Sequence, residues 1–239
     1  MHDRPRVREP LTVAVAQPRT VVGDLAANAA AHADLIGRAG AQLVIFPELS
    51  LTGYHLDAPV IDPDDAAIEV LRMACADLRS AALVGAPIEW DGVDHIAMLL
   101  VDADGARIVY RKAHPGADEG RRFAAGPGAV AMTFAGRRVG LAICRDTGIA
   151  AHIEQTADLG IDLFACGVVH HDHERAEQDR RSRVIAAVCR APVAMASCAG
   201  PTGEGYHRTA GHSSIRSADG DLLAEADAEP DDVVRATLA

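Results

Sequence analysis

The chain has 239 residues, 49% of them hydrophobic and only 3% aromatic, with a formal net charge of −11. That apolar content excludes a disordered chain, and 21 glycines with 12 prolines are too few for a collagen-like or low-complexity one. The acidic balance repels nucleic acid and anionic membrane surfaces, so neither is an expected partner.

Met1 to Pro10 carries Asp3, Arg4, Arg6, Arg8 and Glu9 and no apolar run, which does not fit a secretory signal. Residues 1–9 are expected to be a flexible extension. No stretch approaches the roughly 20 apolar residues of a membrane span. Cys75, Cys144, Cys166, Cys189 and Cys198 show no framework spacing and no CxxC pair. A disulfide scaffold and a zinc ribbon are therefore unexpected. A reduced, cytoplasmic protein is the simplest account.

Leu11 to Ala16 reads as a buried strand. Asp24 caps an Ala-rich helix with Leu25, Leu35 and Ile36 on its apolar side, closed by Gly40. Gln42 to Phe46 is a strand stopped by Pro47. Asp64 or Asp65 opens a second helix, in which Ile68, Leu71, Cys75 and Leu78 recur at helical spacing. Ala82 to Pro87 is a strand. Ile96 to Val101 and Arg107 to Arg111 form a hairpin, as do Val130 to Phe134 and Arg138 to Ile143. A short helix from Ile149 ends at Gly160. A strand (Ile161 to Val169), a helix (Glu174 to Cys189) and a strand (Val193 to Ser197) follow. A hairpin pairs Ser213 to Arg216 with Asp221 to Ala224, and Val233 to Leu238 is a last strand. The pattern argues a mixed sheet covered by helices. No linker or short-period repeat interrupts it, so 1–239 reads as a single domain.

Three apolar strands run into reactive residues: Glu48 after Phe46-Pro47, Lys112 after Val109-Tyr110-Arg111, and Cys144 after Leu141-Ala142-Ile143. Strand ends are where open α/β architectures build sites. A carboxylate can take a thiol's proton, and a nearby ammonium favours the thiolate and faces an oxyanion.

These segments resemble the nitrilase superfamily of carbon–nitrogen hydrolases. The similarity begins at Ala14-Val15-Ala16-Gln17 and runs through Phe46-Pro47-Glu48-Leu49-Ser50-Leu51-Thr52-Gly53-Tyr54. It continues through Tyr110-Arg111-Lys112-Ala113-His114, Glu119 and Gly140-Leu141-Ala142-Ile143-Cys144-Arg145-Asp146, to Gly211-His212-Ser213-Ser214. The resemblance implies an α-β-β-α sandwich that forms homodimers or higher homo-oligomers. It implies Cys144 as nucleophile, Glu48 as general base, Lys112 as electrostatic stabiliser and Glu119 as the carboxylate that orients the lysine. Tyr54, Arg145, Asp146 and His170 are then expected to bind substrate. The expected reaction is hydrolysis of a small carboxamide or N-carbamoyl compound through a thioester, with release of ammonia and with no metal or organic cofactor.

Departures from the family pattern cluster near the expected pocket. Arg145 replaces an aromatic or acidic residue. Thr147-Gly148-Ile149 lacks the Arg-Phe-Pro continuation, and Ile185-Ala186-Ala187 stands where Glu-Asn is usual. Arg145 either holds an acidic substrate group or pairs with Asp146. The alternatives are a true nitrilase, a silent member that binds a metabolite or partner, and a metal-dependent hydrolase built on His170, His171, His173 and Glu174.

Overall fold

A computed structural model describes residues 9–239. The expected flexible extension thus lies outside the described residues, apart from Glu9.

The first half runs β1 (Leu11–Gln17), α1 (Leu25–Ala39), β2 (Leu43–Ile45), α2 (Ala66–Leu78), β3 (Ala81–Trp90), β4 (Val93–Asp102) and β5 (Gly105–Arg111). The second runs β6 (Val130–Phe134), β7 (Arg137–Ile143), α3 (Ala150–Asp158), β8 (Leu163–Val168), α4 (Arg175–Cys189) and β9 (Val193–Ser197). It ends in β10 (Ser214–Arg216), β11 (Leu222–Glu225) and β12 (Asp232–Leu238). Local chemistry sets several boundaries. The Asp24 and Asp65 carboxylates accept from Ala27 N and Ala67 N at the starts of α1 and α2, and Gly40 closes α1 in the left-handed conformation.

The strands form two six-stranded sheets, ordered β12-β1-β2-β3-β4-β5 and β11-β10-β9-β8-β7-β6. Within them β1, β2 and β3 are parallel, as are β7, β8 and β9, and the other pairings are antiparallel. The inner faces meet in a core that includes Val13, Leu83, Met98, Leu141 and Ala165. α1 and α2 cover the outer face of the first sheet through Leu35, Ile36 and Leu71, against Val44 and Val84. On the second sheet's outer face, Ile153 of α3 and Ile185 of α4 pack against Phe164 and Met195. The layers are α-β-β-α. The single mixed sheet read from element order alone is therefore corrected to two. Alternation along the chain does not say which sheet a strand joins; burial of both strand faces does.

A second correction concerns β3. The sequence reading ends it at Pro87, yet it continues to Trp90 and turns through Asp91 and Gly92 into β4. β2 pairs with β3 only as far as Leu83, so Pro87 has no ladder neighbour on that side and its missing N–H costs nothing there.

Candidate active site

Lys112 and Cys144 follow directly on β5 and β7, and Glu48 lies three residues past β2. Phe46 N still bonds to Leu83 O at 2.9 Å, and the chain then turns through Pro47 and Glu48, with Leu49 at φ 49°. Lys112 N bonds to Ile96 O at 2.8 Å, and Lys112 O accepts from Gly126 N at 2.8 Å, which pins the lysine backbone at the end of β5. Cys144 opens a short 3-10 turn, Cys144–Gly148, at φ 40°. A positive φ at a non-glycine residue stores on the order of 1–3 kcal/mol and persists only where the surroundings enforce it.

Two glycines, one from each sheet, hold Glu48 in place. A Cβ on Gly85 of β3 would lie 2.3 Å from Pro47 O, and one on Gly167 of β8 would lie 2.9 Å from Glu48 N. The Glu48 turn is thus wedged between the sheets at a separation no side chain would permit. Neither glycine stands out in the sequence, because a close approach between distant segments leaves no local pattern.

The three side chains converge. Lys112 Nζ donates to Glu48 Oε1 at 2.6 Å and to both Glu119 oxygens at 2.8 and 2.7 Å. Glu119 also accepts from Tyr54 Oη at 2.7 Å and from Gly116 N at 2.6 Å. Glu48, Lys112 and Glu119 are 1%, 1% and 3% exposed, so this charge network is dry. Cys144 is only partly buried, and its thiol donates to Val169 O at 3.3 Å. Glu48 Oε2 is buried with no hydrogen-bond partner among the described residues. It is an open acceptor on a carboxylate whose other oxygen is taken by the lysine.

Electrostatics sorts the roles. Burial raises the Glu48 carboxyl to about 7, against the pull of Lys112 and with a further push from Glu119. Burial would lower Lys112, but the charges of Glu48, Cys144 and Glu119 outweigh it and raise its pKa, so it stays an ammonium. Burial works against ionised Glu119 too, yet Lys112, Gly116 N and Tyr54 hold its pKa down. The Cys144 thiol is raised by burial and then by Glu48, with Lys112 opposing. The site therefore rests as a protonated thiol beside a carboxylate able to accept its proton near neutral pH. Such an arrangement can generate a nucleophile on demand and offer a fixed cation to a developing oxyanion.

The expected substrate-binding residues fare differently. Tyr54 reaches the site through Glu119. Asp146 does not face a pocket, which corrects its assignment. It is 0% exposed and accepts from Tyr110 Oη at 2.7 Å, Ile143 N at 3.1 Å and His114 N at 2.9 Å, with His114 Nδ1 at 2.8 Å. Its carboxylate braces the nucleophile turn from beneath. Arg145 is exposed and makes no ion pair among the described residues, so the Asp146 pairing does not form. His170 is buried rather than at the mouth, with Nδ1 on Gln178 Oε1 at 3.1 Å and Nε2 unpartnered.

The more open ring of this segment belongs to His171, which is half-buried. It stacks on Tyr206 at 4.4 Å between centroids and on His173 at 5.2 Å. Tyr206 also meets Tyr54 edge-on at 4.8 Å. Sequence reasoning missed Tyr206, although a signal was there. It is one of only three tyrosines and lies in a glycine-rich run, Gly203-Glu204-Gly205. The chain's three tyrosines all serve this region.

The His170–His173 segment does not gather a ligand set among the described residues. The cluster that does is His114, Asp146 and His152, whose ligand atoms lie within 4.8 Å of one another. Both Asp146 oxygens are already spent on the hydrogen bonds that hold the turn, so we read it as a brace.

A thiol, a carboxylate and an ammonium gathered at the strand ends of an α-β-β-α sandwich form an arrangement able to carry out nucleophilic acyl transfer. The chain matches the carbon-nitrogen hydrolase family over residues 12–239, and it belongs to that family. Its fold is that of XC1258 from Xanthomonas campestris, a CN-hydrolase superfamily protein (TM-score 0.87, 22% identity, 97% of this chain and 91% of that one). An amidase from Nesterenkonia AN1 of the nitrilase superfamily matches at TM-score 0.84 and 24% identity over 95% and 90% of the two chains. Nit3 of Saccharomyces cerevisiae matches at 0.85 and 20% over 96% and 90%. In sequence, the chain is 29% identical over 189 residues to a glutamine-dependent NAD(+) synthetase of Xylella fastidiosa, 74% of this chain but 34% of that protein. The chain spans about a third of the length of that curated relative.

Proposed function

We propose that the protein is a thiol amidase that releases ammonia from a small carboxamide or N-carbamoyl compound. The observation that carries this reading is the unpartnered Glu48 Oε2, buried in the network with Lys112 and coupled to the Cys144 thiol. Cys144 Sγ attacks the amide carbon as Glu48 takes its proton. Lys112 and the Arg145 N–H stabilise the oxyanion. Glu48 returns the proton to the departing nitrogen, and ammonia leaves a thioester on Cys144. Water then adds as Glu48 accepts its proton, and the acid departs while the thiol is restored. Glu119 and Tyr54 keep Lys112 aimed.

Family membership supports a carbon–nitrogen bond as the target. The Nesterenkonia amidase, solved in complex with butyramide, and relatives whose name specifies glutamine support a carboxamide. Five free cysteines support a reduced, cytoplasmic setting. No helix among the described residues is long and apolar enough to cross a membrane. Exposed Val184 and Val188 on α4 support association of copies through that helical layer.

The test is ammonia release from a panel of amides, ureido acids and nitriles, with intact-mass detection of an acyl adduct. Amide turnover together with an adduct absent from Cys144→Ala establishes the reading. A nitrile consumed faster than its amide would replace it with a nitrilase. No adduct and no ammonia would leave the silent-member reading.

A further inference from the structure

The loop between β9 and β10 lies outside the three strand-end segments, yet it is stitched to both sides of the site. Tyr54 N bonds to Thr202 O at 2.7 Å, and Leu56 N bonds to Glu204 Oε1 at 2.5 Å, which ties the loop to the segment after Glu48. An isolated bridge from His171 to Thr209 ties it to the segment after Val169, whose carbonyl holds the Cys144 thiol. Thr202 N to Tyr206 O at 3.0 Å and Tyr206 N to Gly203 O at 2.8 Å close a tight turn that presents the Tyr206 ring. His171 stacks on that ring, and Tyr54 meets it at an interplanar angle of 69°. The ring touches Tyr54, whose hydroxyl bonds to Glu119 beside Lys112, and burial first, then the charges of Cys144 and Glu48, raise the phenol's pKa.

Tyr54 Oη is spent on Glu119 and Tyr110 Oη on Asp146. Tyr206 Oη makes no hydrogen bond among the described residues. This half-buried hydroxyl is therefore free to donate to a bound group. Glu48, Glu119 and Glu174 all act on this ring, so a second anion beside it is disfavoured.

We infer that Tyr206 is a specificity-determining residue, whose ring supports the acyl chain of the substrate and whose hydroxyl donates to a neutral acceptor oxygen on that chain. This deepens the amidase reading and rests on it. It predicts a preference for amides with an uncharged polar tail over those with an apolar or anionic one.

Succinamide, butyramide and succinamate share a skeleton and differ at the tail. For the intact enzyme, kcat/KM should be highest for succinamide. Tyr206→Phe should lower the succinamide-to-butyramide ratio about tenfold, mainly through KM, the scale of one lost hydrogen bond. Tyr206→Ala should weaken both amides, because the ring is lost as well. An unchanged ratio in Tyr206→Phe overturns the inference, as does succinamate outperforming succinamide. Calorimetric binding of succinamide to Cys144→Ala, with and without Tyr206→Phe, separates the two levels. If the enzyme releases no ammonia, the amidase reading falls while a weakened Kd still supports Tyr206. Absent binding or an unchanged Kd overturns Tyr206 whatever the turnover.

Discussion

The two sheets follow one pairing scheme. Read from one edge, each has an antiparallel strand, three parallel strands and two more antiparallel ones: β12-β1-β2-β3-β4-β5 corresponds to β6-β7-β8-β9-β10-β11. By that correspondence α3 and α4 occupy the places of α1 and α2. Yet equivalent strand ends do different work. β1 ends at Gln17, whose side chain donates to Asp227 O at 3.0 Å and Glu229 O at 2.6 Å and accepts from Ser213 N at 3.1 Å. β7 ends at Ile143, and Cys144 turns at positive φ with its thiol partly open. β2 leads into fully buried Glu48, whereas the segment after β8 brings no charged side chain to the network and supplies the Val169 carbonyl and the His171 ring. The first sheet thus holds the charges in the dry interior, where proton affinity is tuned by burial. The second presents the partly open sulfur and the half-buried rings of His171 and Tyr206. One scaffold laid out twice gives two unlike halves because equivalent strand ends carry different residues where the sheets face each other.

The largest way to break this division is at the sulfur. Cys144→Ala should lower turnover by about 10⁴-fold or more, as for other nucleophile deletions. Thermal unfolding should stay near the parent value, because the thiol makes one weak bond. Retained ammonia release would remove Cys144 from the mechanism.

The wedge is next. Gly85→Ala or Gly167→Ala puts a methyl into the Pro47–Glu48 backbone and shifts Glu48 from the thiol. Misplacement by about 1 Å commonly costs on the order of 10²-fold. Steady-state assays on folded variants should show this as a fall in kcat. Activity within about twofold of the parent would mean that the wedge is not needed.

The pH profile tests the dry side directly. Burial raises Glu48 to about 7, so below that pH the carboxyl is protonated and cannot accept the thiol proton. kcat/KM should fall about tenfold per pH unit on the acid side of neutrality. A limb near the ordinary carboxylate value would place the base in water.

Smaller effects should follow from the braces. Asp146→Asn should lower stability by about 1–3 kcal/mol in urea titrations, since the carboxylate serves several donors in a buried setting. Tyr54→Phe should cost about 1 kcal/mol in kcat/KM, one hydrogen bond to Glu119. The rank order reverses if the braces, rather than the reacting groups, dominate.

Much of the fold is written in local pattern. Aspartates open the first two helices, Gly40 closes one of them, and apolar runs mark most strands. The β3–β4 hairpin is the main local feature the pattern hides, because Pro87 reads as a stop while its geometry lets the strand pass. The candidates Glu48, Lys112 and Cys144 stand out because reactive side chains follow apolar strands, whereas Glu119, in a polar turn, is marked only by the family resemblance. Asp146 is misread because an acidic residue next to a nucleophile looks the same whether it faces a pocket or the core. Only its four hydrogen-bond contacts distinguish the two.

By itself the sequence determined most strand and helix segments and the family, and it named the reactive trio as candidates. These depend on short-range periodicity and on residue types that carry chemistry wherever they stand. Tertiary structure alone decided that the strands divide into two facing sheets, that Gly85 and Gly167 clamp Glu48, and that Tyr206 crosses from a distant loop to meet Tyr54 and His171. Each of these is a contact between segments far apart along the chain. Its energy comes from close approach and exclusion of water, neither of which has a period or a spacing in the sequence.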